Sequence, residues 1–203
     1  MQNAWDQFFE DKMKQIFTPG KTVIDIGGGL RVDATRNNRE SQAPAWLGEY
    51  IKKVDYKILD KVADYHPDIV GDIHSLPFAD NSVDAIICIA VLEHVEEPAK
   101  AVAEVYRVLK PGGQAFFYAP FLFYYHPLNG YYQDFFRFTS DGWRYMTRQF
   151  KTVELQNVRG ALATVLNLFP WFSKKTKWVD RVDRWFHREK SQQTSGYNVF
   201  GVK

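Results

Sequence analysis

Three observations predict an α/β fold with a mostly parallel sheet. Short apolar runs recur along the 203 residues, they alternate with segments of helical periodicity, and the turns between them are brief. The first run, Val23-Ile24-Asp25-Ile26, breaks into Gly27-Gly28-Gly29. Glycines after a buried strand let the backbone turn sharply and approach a ligand that a Cβ would push away.

The elements follow in order. A helix is expected over residues 3–17, ended by Thr18-Pro19-Gly20, and strands over 22–26, 50–56, 69–71, 83–89 and 114–119. The clearest helix covers 98–109, where Ala101, Val102, Val105, Val108 and Leu109 share a face and Lys110-Pro111-Gly112-Gly113 stops it. Residues 31–48 are polar, without a convincing apolar period, and predict a shortened helix with a mobile loop. Segments 150–158 and 196–202 read as a strand pair, separated by an apolar helix over 162–172 and a basic amphipathic one over 174–190. No repeat or long linker divides the chain, so one domain over 1–203 is expected. Ligands of parallel sheets sit beyond the carboxyl ends of the strands, so Asp25 to Gly29, Asp55, Asp72, residues 89–94 and the segment after Ala119 are expected to share one crevice.

A chain of this length buries a sufficient core without disulfides, and no metal is expected. The lone Cys88 lies in an apolar run and cannot form an internal bridge, which predicts a core role and a reducing setting. The amino terminus lacks the apolar stretch of a signal peptide, and no segment reaches the ~20 apolar residues of a membrane span. A cytoplasmic protein is expected. The net charge of +2 hides an asymmetry: residues 144–203 carry 12 Lys/Arg against 4 Asp/Glu, leaving 14 against 20 for residues 1–143. The acidic part suits a cationic cofactor. The basic tail, with Trp171, Lys174, Lys175, Lys177, Arg181, Arg184 and Arg188, reads either as a solvated helix face or as a surface for anionic membrane lipid. It contains no recognised nucleic-acid reading motif, so nucleic acid is not an expected partner.

A glycine turn after a strand suggests a nucleotide-like ligand, but the dinucleotide motif G-x-G-x-x-G fails: with Gly27 and Gly29 as its first glycines, the third position is Val32. A different set of segments carries a likeness. These are the Asp25-to-Gly29 turn, Val54-Asp55-Tyr56, Gly71-Asp72-Ile73-His74-Ser75-Leu76-Pro77-Phe78, Asp80-Asn81-Ser82-Val83-Asp84, Val91-Leu92-Glu93-His94-Val95 and Leu109-Lys110-Pro111-Gly112-Gly113. In order and spacing they resemble the class I S-adenosylmethionine-dependent methyltransferases of the type 11-like branch. The likeness spreads over most of the chain.

That resemblance implies a Rossmann-like three-layer sandwich whose seven-stranded sheet runs 3-2-1-4-5-7-6 with an antiparallel last strand, and acceptor-side insertions at about 120–148 and 160–192. It implies S-adenosyl-L-methionine as cofactor. Gly27, Gly28 and Gly29 would pack against its methionine part, with Asp25 anchoring either that turn or the cofactor's amino group. Asp55, read as ending the second strand beside Tyr56, would accept from both ribose hydroxyls. Asp72 would accept from the adenine amino group with Ile73 on the ring, or else cap its own turn. Ala90, Glu93 and His94 would flank the methionine end, His94 alternatively serving as a buried structural histidine. Many relatives have a further glycine where this chain has Arg31; Arg31 with Asp33 either contacts the cofactor carboxylate or starts the loop.

The acceptor side follows the fifth strand. From Phe116 to Phe138, 12 of 23 residues are aromatic, a composition that excludes water and can hold a ring, a sugar face or an acyl chain. Tyr124 and Tyr125 are candidate substrate contacts. Arg137 either clamps an anionic acceptor or pairs with Asp134 to fix the loop. His126 is the candidate general base for a hydroxyl acceptor, or a loop histidine before Pro127. Three functions are consistent with these residues: a methyltransferase of a small molecule such as a hydroxylated or sugar-like metabolite; the same enzyme at a membrane with a lipid-linked acceptor; and a non-catalytic cofactor-binding or interaction module.

Overall fold

The computed structural model describes residues 2–28, 44, 46–169, 176–185 and 191–203. Gly29, Arg31, Asp33 and most of the expected loop lie outside them, as do Trp171, Lys174, Lys175 and Arg188. Strands β1 (Thr22–Ile26), β2 (Asp55–Asp60), β3 (Ile69–Val70), β4 (Val83–Ile89), β5 (Leu109–Pro120), β6 (Thr152–Val158) and β7 (Gly196–Val202) form one sheet. Their order is β3-β2-β1-β4-β5-β7-β6, as predicted. The pairs among β1 to β5 are parallel, and β7 runs antiparallel to both β5 and β6.

Alternation along the strands divides the core into two layers. Val23, Ala85, Ile87 and Phe116 face one side, where they pack with Met13, Ile16 and Phe17 from α1 (Ala4–Ile16) and its end, and with Leu47 from α2 (Leu47–Ile51). Ile24, Ile26, Ile86, Cys88 and Phe117 face the other. There they meet Ala101, Val102 and Val105 of α3 (Pro98–Val108) and Trp143 of α4 (Ser140–Met146). Helices α5 (Ala161–Asn167) and α6 (Thr176–Trp185) lie between β6 and β7 in sequence. Asp183 of α6 is buried and accepts from the backbone N–H groups of Leu162 and Ala163 at 3.1 and 2.8 Å. A carboxylate there satisfies donors that the first turn of a helix leaves without partners.

The strand predicted over 50–56 is displaced. Leu47, Tyr50, Ile51 and Val54 recur at helical spacing, and all four pack in the core layer that contains α1. The segment therefore forms α2 and a turn, and β2 begins only at Asp55. Likewise β5 starts at Leu109 rather than 114, with Gly112 at φ +78° carrying the bend inside it.

Phe117 is fully buried, with Trp143 at 5.7 Å and Phe150 at 6.3 Å between ring centroids. Phe117→Ala is expected to lower stability by about 3–5 kcal/mol in urea titration, whereas Tyr125→Ala, at a residue 73% exposed, should change it by less than about 0.5 kcal/mol.

Candidate active site

A cleft of about 1150 Å³ opens where β1 and β4 diverge at their carboxyl ends. Its floor is Ile26 and Gly27 after β1, Asp60 at the end of β2, and Ala90 after β4. Gly27 has φ +77°, and a Cβ there would stand 2.5 Å from Cγ2 of Val91. The turn can thus pass this close to the β4 loop only as glycine. Gly28 also has positive φ, +58°. Ala90 adopts φ +55° without being glycine, a conformation that costs roughly 1–2 kcal/mol and is retained where a site fixes it.

The predicted cofactor residues separate into those that line the cleft and those beneath it. Gly27, Asp72, Ile73, Ala90 and His94 line it. Asp25 is fully buried and accepts from the Tyr56 hydroxyl at 2.6 Å, so this pair supports the turn from within the sheet. Asp55 opens β2 instead of closing it. It pairs with Thr22, the first residue of β1, and its carboxylate meets Lys57 at 3.0 Å, at the edge remote from the cleft. The carboxylate that closes β2 on the cleft is Asp60, which sequence reasoning missed by misplacing the strand.

Asp72 accepts from the His74 backbone N–H at 2.8 Å and faces the His74 ring at 2.7 Å and Lys61 at 3.0 Å. Burial opposes its charge, but the His74 N–H, Lys61 and the His74 ring prevail and hold its carboxyl at about 2. It remains ionised, an acceptor at every physiological pH.

The acceptor wall is the segment after β5. Leu128 and Tyr132 form an isolated antiparallel bridge around Gly130, and Tyr131 stacks on Tyr65 at 5.3 Å across the cleft. Tyr125 lines the cleft, while Tyr124 stacks on Phe123 at 4.3 Å. Arg137 fixes this wall. Its Nη1 donates to Asp134 Oδ1 (2.5 Å) and Phe136 O (2.7 Å), its Nη2 to Asp134 Oδ2 (2.7 Å) and Tyr124 O (2.8 Å), and its Nε to Phe123 O (3.3 Å). All five guanidinium N–H groups are used, so the substrate-binding role expected for Arg137 gives way to loop fixation. Asp134 also accepts from the His126 backbone N–H at 2.8 Å.

Behind the wall three side chains converge. Glu93 is fully buried, and burial pushes its carboxyl up to about 8. No other residue donates a hydrogen bond to either of its oxygens among the described residues. The Nε2 atoms of His94 and His126 each stand 3.9 Å from Glu93 Oε1. His126 thus directs Nε2 at Glu93, and of the two imidazoles it is His94 that lines the cleft. The sequence separation of 32 between His94 and His126 hides this convergence from any spacing rule.

The sheet order and the cleft at its switch point define the Rossmann-like methyltransferase fold. A SAM-dependent methyltransferase from Archaeoglobus fulgidus superposes with a TM-score of 0.59 over 97% of this chain and 94% of that one, at 11% identity. Residues 25–117, just under half of the chain, match the type 11 family model described as "Methyltransferase domain". Demethylmenaquinone methyltransferase of Renibacterium salmoninarum is 39% identical over 99 residues, 47% of this chain and 40% of that protein. Ubiquinone biosynthesis O-methyltransferase of Pseudomonas paraeruginosa is 31% identical over 103 residues, 48% and 43% respectively. The chain therefore spans less than half the length of these curated relatives.

Asp134 is held at about 2, with the Arg137 guanidinium as the main cause. A depressed carboxylate contributes stability that is complete above its unfolded value near 4 and lost as pH falls toward 2. Asp134→Asn is expected to lower stability at pH 7 by about 2 kcal/mol, and urea titrations should show the gap from wild type narrowing by pH 3.

Proposed function

We propose that the chain is an S-adenosylmethionine-dependent methyltransferase of a small, hydroxylated aromatic acceptor. The observation that carries this reading is the two-sided cleft, with a glycine turn and two carboxylates on one side and an aromatic wall on the other. The fit to the cofactor rests on Gly27, whose place a Cβ would fill, and on the donor set: Asp60 for the ribose hydroxyls, Asp72 for the adenine amino group and Ile73 for the ring. When bound, the cofactor supplies a methyl carbon already activated by a sulfonium.

The chain's own residues then have three tasks. Gly27 and Ala90 define the narrow floor between the two halves of the cleft, which aligns donor and acceptor. Tyr125, Tyr131 and Phe135 on the wall exclude water and offer ring faces. Of the two imidazoles, that of His94 lines the cleft and is the one placed to take a proton from an acceptor hydroxyl. Relatives named for menaquinone and ubiquinone synthesis support an aromatic ring as the acceptor in preference to a sugar.

A second reading brings the same enzyme to an anionic membrane surface. It is favoured by Leu162, Val165, Leu168 and Phe169, exposed along α5 and just after it, which precede the basic tail in sequence. Among the described residues no helix is long and apolar enough to cross a membrane.

Calorimetry should detect S-adenosylhomocysteine binding to the wild-type chain. Asp60→Ala should weaken it at least tenfold, about 1.4 kcal/mol, and Asp55→Ala should leave it within twofold; no binding at millimolar ligand removes the proposal. Sedimentation with phosphatidylglycerol vesicles tests the second reading, which expects binding at low salt and release of most of the protein at about 0.5 M salt.

A further inference from the structure

Glu93, His94 and His126 offer one carboxylate oxygen and two imidazole nitrogens that all lie within 4.8 Å of one another. Their surroundings fix which atoms are available. His94 Nδ1 lies 2.6 Å from the Gln133 carbonyl oxygen. A carbonyl can only accept, so Nδ1 carries the proton and Nε2 presents its lone pair. His126 Nδ1 lies 3.0 Å from the Tyr124 carbonyl and 3.2 Å from Asp134 Oδ2, with Arg137 Nη2 more distant at 3.5 Å; the two nearer groups are acceptors, which places the proton on Nδ1 and leaves Nε2 as the lone-pair nitrogen. Both lone pairs face Glu93 Oε1 from 3.9 Å, so the neutral histidines donate nothing to the carboxylate.

The cluster is therefore two imidazole lone pairs around a carboxyl group that no other residue's donor reaches. A buried carboxylate without partners is costly, and it is far cheaper beside a positive ion. The outward Nδ1–H groups repeat the outer-shell pattern of metal-bound histidine, in which a backbone carbonyl or carboxylate holds the ring and sets the tautomer. Arg137 reinforces it by gripping both Asp134 and the Tyr124 carbonyl. Two imidazoles and one carboxylate suit zinc and its neighbours better than magnesium or calcium, which prefer oxygen. Ligands ~2.0–2.1 Å from a tetrahedral ion stand roughly 3.4 Å apart, so the two Glu93–imidazole spacings of 3.9 Å close by about half an ångström, and no spacing in the cluster, at most 4.8 Å, closes by more than about 1.4 Å.

We propose that Glu93, His94 and His126 form a binding site for a divalent transition-metal ion of the zinc class. The ion ties the end of β4 to the wall that follows β5 and leaves a coordination position open beside His94, which lines the cleft. With the ion in place neither Nε2 is available to take a proton, so metal binding and general-base action by His126 exclude each other.

The test uses the purified full chain after chelator treatment and removal of the chelator. Zinc should bind with one ion per chain at micromolar affinity, cobalt(II) should give visible absorption of a low-symmetry site, and the melting temperature should rise with zinc and fall back with chelator. Glu93→Gln and His126→Gln should each weaken zinc binding at least a hundredfold, while His66→Gln, at a histidine outside the site, should leave it unchanged. Circular dichroism and S-adenosylhomocysteine binding on the same samples show that the variants are folded. The site is overturned if wild type takes up no zinc at 100 μM, if the two variants bind it like wild type, or if magnesium competes at equal concentration. S-adenosylhomocysteine binding without zinc binding removes the metal site and leaves the methyltransferase reading standing; the converse result does the opposite.

Discussion

The parallel pairing of β1 with β4 is the constraint from which the site follows. Ile26 lies beside Cys88 at the carboxyl ends of the two strands, and the sheet order reverses between them. The chain leaves β1 toward β2 on one side and β4 toward β5 on the other, so a crevice must open at this point. Gly27 and Val91 show how tightly the two exits pass, since no side chain fits between them. What can occupy the crevice is set by the strand ends that surround it: Asp60 and the Asp72 turn on the β2–β3 side, the aromatic segment on the β5 side.

The aromatic segment does not hold itself in place. Between β5 and α4 it has one isolated bridge at Leu128 and Tyr132, and much of its order comes from one guanidinium. Arg137 satisfies three backbone carbonyls and a carboxylate, a task suited to a planar fork of five donors and beyond the reach of lysine. The Phe135 and Phe136 backbone N–H groups donate to the Glu93 carbonyl at 2.8 and 3.2 Å, which ties the segment to the end of β4. Donor side and acceptor side are therefore held in register through Glu93 itself.

The sheet was legible because its strands are buried on both faces, and such strands leave short apolar runs between turn signals. The likeness to a methyltransferase family then supplied the strand order and the antiparallel pair. The second strand was not legible in the same way. Tyr50, Ile51, Val54, Tyr56, Ile58 and Leu59 make one apolar stretch in which a helical period passes into an alternating one without punctuation, and periodicity alone cannot place the junction. That ambiguity put the expected end of the second strand at Asp55, whereas the strand begins there and ends at Asp60. Glu93 was visible as a residue after β4, but its isolation from donors was not, because one of the two imidazoles that face it, His126, comes from a loop 33 residues further along. Arg137 was read with two open roles, and only the count of its contacts decided between them.

Ala90 keeps a left-handed backbone at the floor of the cleft, held there by its N–H donating to the Tyr118 carbonyl at 2.9 Å. Glycine would occupy the same conformation with less strain, yet would also release neighbouring conformations that the methyl group forbids. The chain thus accepts a small loss of thermodynamic stability in exchange for a floor that does not wander. Backbone strain and the floor of the cleft coincide at this residue, so substitutions that make the fold more robust and those that keep the floor's shape are expected to pull in different directions.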